Sequence, residues 1–238
     1  MSEENSIITN ISPEGTRVSE RSIFIWLDIL GFSTSIENDD NYNQYSEKLS
    51  IFRNAFIDTQ YDLHNISDGM VLMLPNSLNY ERLLNIFNTI AHKQYQYIIE
   101  QKEFIRGGIA VGTRFEENEN KHIISNGLAR AYKIESRSIS WPIIGTNRVW
   151  LEKINNMLSV MNPSENLRLC ETKNIKGEPI YFIDFIINPD EIYPIIRDKI
   201  NEYSESTDIL YKYIWMLRYV HKKFNRKKVP RQLKGNIL

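Results

Sequence analysis

Residues 22–30, SIFIWLDIL, surround a single carboxylate, Asp28, with apolar, β-branched and aromatic side chains. A short run of this kind, closed by Gly31, predicts a buried central strand rather than a helix. A carboxylate inside such a strand loses its hydration, so it needs compensation from backbone donors, a cation or both. Asp28 is therefore either a structural carboxylate capping local backbone groups or a functional one.

The pattern after this strand sets the fold class. Tyr45, Leu49, Phe52 and Phe56 recur at spacings of four and three between residues 42 and 60, which predicts a helix with one apolar face. YDLHNI and DGMVLMLP then predict a hairpin around Ser67, Asp68 and Gly69, residues suited to a tight turn. Leu83, Leu84, Phe87, Ile90, Gln94 and Ile98 mark a second helix over residues 79–101, and FIRGGIAVGT reads as the next strand. The order is βαββαβ, an α+β ferredoxin-like plan. In that plan the first strand and the central hairpin are neighbours, so Asp28 and the turn bearing Asp68 can meet. Further strands are expected at HIIS, WPIIG, LRLCET and PIYFIDFII, with helices at GLARAYKIESRS and NRVWLEKINNML and at residues 190–203 and 207–224. Order is expected to begin at Ser22, giving a flexible arm at 1–20, a main domain at 21–188 and a C-terminal helical extension with a basic tail at 189–238.

Composition excludes several classes. Lys plus Arg number 29 against 30 Asp plus Glu, so the chain has no global attraction for nucleic acid or acidic membranes. No apolar stretch is long enough to span a bilayer, and MSEENSIITN lacks the basic start and apolar run of a secretory signal. A cytoplasmic, soluble protein is the expectation. The single cysteine, Cys170, reads as a buried structural thiol. The basic stretch from His221 to Lys234 reads as a solvated tail or a contact for phosphates or an acidic partner.

Two carboxylates at one sheet edge repel each other and persist mainly when a cation lies between them. Magnesium suits such a pair, since it takes oxygen ligands, keeps several waters and bridges carboxylates to substrate phosphates.

IFIWLDILGFS, NISDGMVLML, FIRGGIAVG and GLARAYKIE stand in the order and approximate spacing of class III nucleotide cyclases, and residues 22–140 resemble that family's catalytic core. RGGIAVG, AYKIES followed by WPIIG, and KYIWMLRYVHKKF are most similar to the pyrimidine cyclases of bacterial antiphage (Pycsar) systems. The resemblance implies conversion of UTP or CTP to 3′,5′-cyclic UMP or cyclic CMP, two Mg or Mn ions, a homodimer with shared sites, and a separately encoded effector that answers the cyclic nucleotide. It assigns Asp28 and Asp68 as metal ligands, with the Ile29 carbonyl, and Arg106 as a nucleotide or phosphate contact. Phe32, Ser33 and Thr34 would cradle triphosphate oxygens near a helix start.

Departures from the family matter too. Where adenylyl and guanylyl cyclases carry an asparagine and an arginine that orient ribose and stabilise the transition state, this chain holds Ala129 and Lys133, with Arg130 one residue from register. Lysine lacks the bidentate fork of arginine, which leaves a catalytically degenerate nucleotide-binding or signalling module as the alternative function. His64, four residues before Asp68, stands where adenylyl cyclases have lysine; it is either a base contact or a packing residue. Arg106 has a plainer reading as the partner of a nearby carboxylate, and Asp68 as an ordinary turn residue. Tyr211, Tyr213, Trp215 and Tyr219 of the last helix read as aromatics for core or dimer packing.

Overall fold

The computed structural model describes residues 18–32, 36, 41–58, 61–74, 78–117, 120–159 and 169–224. The elements run β1 (Val18–Ile29), α1 (Tyr42–Ala55), β2 (Asp62–Ile66), β3 (Gly69–Leu74), α2 (Tyr80–Gln101), β4 (Ile105–Glu117), β5 (Asn120–Ser125), α3 (Asn126–Ser138), β6 (Ile144–Asn147), α4 (Arg148–Ser159), β7 (Cys170–Lys173), β8 (Pro179–Phe182), α5 (Pro189–Glu202) and α6 (Thr207–Lys223). The class is α+β, and the first six elements follow the expected βαββαβ order.

One sheet of eight strands runs β2-β3-β1-β4-β6-β8-β7, with β5 paired to the far end of β4. The pairs β2–β3, β3–β1 and β1–β4 are antiparallel, and β6 joins β4 in parallel. β1 thus lies in the middle of the sheet, as its apolar run requires. It starts at Val18, four residues before the expected Ser22, because its ladder with β4 continues through Val18↔Glu116, Ser19↔Phe115 and Glu20↔Arg114. Backbone pairing carries the strand past the point where apolar side chains stop marking it.

Alternation along β1 and β4 divides the core. Phe24 and Trp26 of β1 and Gly108 and Gly112 of β4 face α3: a Cβ at Gly127 would meet the Phe24 ring, and Trp26 packs edge-on against Tyr132 at 5.6 Å. The intervening Ile23, Ile25 and Leu27 turn the other way and are fully buried. Glycine lets α3 lie almost on the β4 backbone. A Cβ at Gly108 would stand 2.0 Å from the Ala131 carbonyl oxygen, and one at Gly112 would stand 2.2 Å from the Gly127 backbone. The close approach that the RGG segment permits is thus used by a helix of the same chain.

The last two helices pack onto this body. Tyr95 Oη of α2 donates to the Asn188 carbonyl at 3.1 Å and to Glu191 at 2.8 Å, and the buried Lys199 of α5 pairs with Glu103 at 3.3 Å. On α6, Trp215 stacks between Trp141 and Tyr219 with ring centroids at 5.2 and 5.4 Å. Tyr213 is buried against Phe104 and Tyr203. Tyr213, Trp215 and Tyr219 thus pack within the chain, whereas Tyr211 touches the Trp141 ring at 5.4 Å and stays 45% exposed.

The α3–β4 contact predicts the effect of adding one methyl group. Gly108→Ala must push α3 away from the strand, at a cost of about 2 kcal/mol, or a fall in Tm of about 4–8 °C for a chain of this size. Calorimetry checks it, and an unchanged Tm would refute the close packing described here.

Candidate active site

Asp28 sits one residue from the end of β1, directly opposite Arg106 in the β1–β4 ladder. Arg106 Nη2 donates to Asp28 Oδ2 at 3.2 Å, and its Nε lies 3.3 Å from the same oxygen. The Nε also stands 2.5 Å from Glu135 Oε1 as an ion pair. Glu135 is one turn beyond Ala131 on α3, so the glycine contact at Gly108 is what brings this carboxylate onto the sheet end. The side chains of Asp28 and Glu135 are 14% and 2% exposed, and Arg106 is 26% exposed, so these charges interact largely out of water.

Asp68 arrives from the other neighbour of β1. One residue beyond the Leu27–Met70 pair, Asp28 comes level with Gly69 and the turn that carries Asp68. Ser67 in that turn adopts a left-handed φ of 54°, and its carbonyl accepts from Arg53 Nη2 at 2.8 Å. Burial pushes the Asp28 carboxyl up to about 6; the Arg106 guanidinium opposes this, and the charge of Asp68 adds to it. Glu135 is pushed up to about 7, again chiefly by burial, and it also feels Arg106, Asp28, Lys212 and Asp68. The two aspartates far apart in sequence therefore share one electrostatic site.

A cleft of about 140 Å³ opens beside Asp28, lined by Ile29, Leu30, Gly31, Phe32, Arg106, Ile209 and Lys212. Gly31 takes φ +82° as the chain leaves β1, and a Cβ there would meet nothing within 4 Å. Phe32 lines the cleft while its ring packs on Tyr45 at 5.6 Å. Lys212 comes from α6; burial first, and then the Arg106 charge, lowers its proton affinity, against the pull of Glu135, Asp208 and Asp28.

The other expected residues fall elsewhere. His64 lies on edge strand β2 opposite Val71, which in turn pairs with Trp26, so it is two strands, or about 10 Å, from β1. Arg130 donates from Nη1 to the Val111 carbonyl at 3.1 Å and covers the Trp150 ring at 5.0 Å. Val111 pairs with Ile23, five residues and about 16 Å up β1 from Asp28, so Arg130 is directed away from this chain's cleft. Ala129 and Lys133 are exposed on α3. Ser33 and Thr34 lie outside the described residues.

Glu135 and Lys212 were not among the expected site residues. The strings AYKIES and KYIWMLRYVHKKF contain them, yet each reads as one more charge on an amphipathic helix. No spacing ties residue 135 or 212 to residue 28.

The donors at the Asp28 end of the sheet that could hold a divalent cation are two carboxylates whose charges act against each other, oxygen ligands of the kind magnesium takes. Among the described residues no group of three or more His, Cys, Asp or Glu side chains forms a closed cage. An ion here would depend on Asp28, Asp68, backbone carbonyl oxygen and ligand phosphates, in the manner of magnesium.

No protein-family model and no curated protein matches the chain. Among solved structures it is similar to an adenylate/guanylate cyclase/hydrolase from Silicibacter pomeroyi, with 19% identity and a TM-score of 0.45, over 70% of this chain and 96% of that one. No helix among the described residues is long and apolar enough to cross a membrane.

The raised carboxyls make stability depend on pH. Asp28 and Glu135 bind protons more tightly folded than unfolded, so the free energy of folding weakens as pH rises from about 4 to about 7 and levels off above. Asp28→Asn removes one of these groups. Without added metal its Tm should exceed that of the parent at pH 8 by a few degrees, with the gain shrinking toward pH 4. A loss of Tm at pH 8, or an equal gain at both pH values, contradicts the assignment.

Proposed function

We propose that the chain is a nucleotidyl cyclase acting on a pyrimidine nucleoside triphosphate. In the reaction the ribose 3′-hydroxyl gives up its proton to water, the oxygen attacks the α-phosphorus in line, the bond from that phosphorus to the bridging oxygen breaks, and pyrophosphate departs. The observation that carries the reading is a buried Asp28 that lines a cleft at the end of β1 and feels the charge of Asp68 from the neighbouring turn. Catalysis of this type is mainly positioning and charge stabilisation, so it asks for such a constellation rather than for a protein nucleophile.

Asp28, Asp68 and the Ile29 carbonyl are the residues that would hold Mg or Mn. Such ions, when bound, neutralise the triphosphate and make the 3′-hydroxyl more acidic. The chain's own groups do the rest. The Ile29–Phe32 exit lines the cleft, and Gly31 supplies the positive φ with which the chain leaves β1. Arg106 donates to Asp28 and pairs with Glu135, so the Asp28 carboxyl is already oriented before a ligand arrives. Choice of UTP or CTP, and use of the product as an antiphage signal, belong to this proposal through the sequence resemblance to Pycsar cyclases.

A homodimer completes the reading. Arg130 is turned toward Val111, away from this chain's cleft, so it serves a nucleotide only from a neighbouring copy, and Lys133 is exposed on the same helix. The same placement favours the second reading, a nucleotide-binding module without turnover, should no neighbour supply them.

Incubation with Mg or Mn and each of the four ribonucleoside triphosphates tests the activity, with chromatography of the products. UTP or CTP should yield a 3′,5′-cyclic monophosphate and equimolar pyrophosphate. Asp28→Asn and Asp68→Asn should each lower turnover about a hundredfold or more, since removal of several kcal/mol of charge stabilisation is at stake. Full turnover in either variant, or no consumption of any triphosphate, would sink the reading; tight binding without product selects the module. Light scattering should give twice the 28.1 kDa chain mass for the active species.

A further inference from the structure

We propose that Lys212 is a substrate-binding residue of this cleft, its ammonium taking the oxyanions at the phosphate end of a nucleoside triphosphate. The proposal rests on the reading of the cleft as a triphosphate site and adds the C-terminal helix to it.

Two cations line the cleft, Arg106 and Lys212. The guanidinium of Arg106 already faces two carboxylates: its Nη2 donates to Asp28 Oδ2 at 3.2 Å and its Nε is ion-paired with Glu135 Oε1. Turning it to a phosphate would leave two buried carboxylates without their counter-charge, which costs more than the new contact returns. Lys212 is placed differently. It enters from α6, beside Ile209, as a half-buried ammonium on a flexible stem. Burial and the neighbouring Arg106 both weaken its hold on its proton, and this outweighs the attraction of Glu135, Asp208 and Asp28. An anion in the cleft between the two cations reverses that balance, because it attracts both.

Size selects which part of a ligand enters. The cleft of about 140 Å³ falls below the roughly 300 Å³ at which pockets begin to enclose a whole small molecule. It holds a compact anionic group, with the remainder of the nucleotide outside it. The lysine is also firmly mounted. Trp215, about one turn beyond Lys212, stacks between Trp141 and Tyr219 and meets Phe182 of β8 edge-on, which anchors α6 to the sheet, and Tyr213, next to Lys212, is buried against Phe104 at 5.3 Å. An ammonium on an anchored helix presents a point charge, suited to phosphate oxygens without bidentate geometry.

Calorimetric titration of the intact protein with magnesium tripolyphosphate tests this without relying on turnover. The wild type should bind it. Lys212→Gln should bind about tenfold more weakly or worse, and Lys212→Arg should stay within about threefold of the wild type. Lys212→Met, which keeps the apolar stem, carries the same expectation should the glutamine variant unfold. In turnover, the neutral variants should raise KM for the triphosphate more than they lower kcat. Equal tripolyphosphate affinity in wild type and folded neutral variants overturns the proposal, as does a wild type that fails to bind tripolyphosphate. If binding depends on Lys212 but no triphosphate is consumed, the cyclase reading falls and the anion site stands. If triphosphates are consumed and binding ignores Lys212, the reverse holds.

Discussion

A carboxylate in the middle of a sheet is tolerable here because a guanidinium lies across the ladder from it. Asp28 and Arg106 are directly paired residues of β1 and β4, so the register of the two central strands and the charge balance of the site are one constraint. A slip of β4 by one residue would turn Arg106 to the other face while Asp28 stayed on its own. Arg106 would then meet the apolar layer of Ile23, Ile25 and Leu27 without its partner, and the long ladder from Val18 to Ile29 holds that slip off.

The second carboxylate of Arg106 depends on glycine. Gly108 and Gly112 strip β4 of side chains along the track where α3 lies, and the helix sinks until Glu135 reaches the sheet end. Packing and electrostatics are coupled through that one approach. The cleft beyond it is walled by the β1 exit on one part and by α6 on another, so a helix more than 170 residues downstream of Asp28 shares its pocket. Aromatic stacking on Trp141 decides where that helix stands.

Much of the fold was legible in the sequence because hydrophobic period reports it directly. The 3.6 period of α1 and α2, the hairpin signal at Ser67–Gly69 and the apolar run of β1 each emerged as the expected element, and together they imply the strand order around β1. The placement of Asp28 and of Asp68 at a common sheet end follows from that order. Boundaries were less legible. β1 reaches back to Val18 through backbone pairing alone, and backbone pairing leaves no side-chain trace.

The site divides in the same way. Sequence by itself determined that a charge sits in an apolar strand and that the strand order lets a turn aspartate come near it, because these are properties of local period and short-range order. Only the tertiary structure decided that Arg106 is committed to Asp28 and Glu135, that Arg130 turns to Val111 and Trp150, and that Lys212 faces the cleft. Those outcomes rest on which long side chains meet across separate elements. A charged residue on a helix face has the same sequence signature whether that face meets water or another charge.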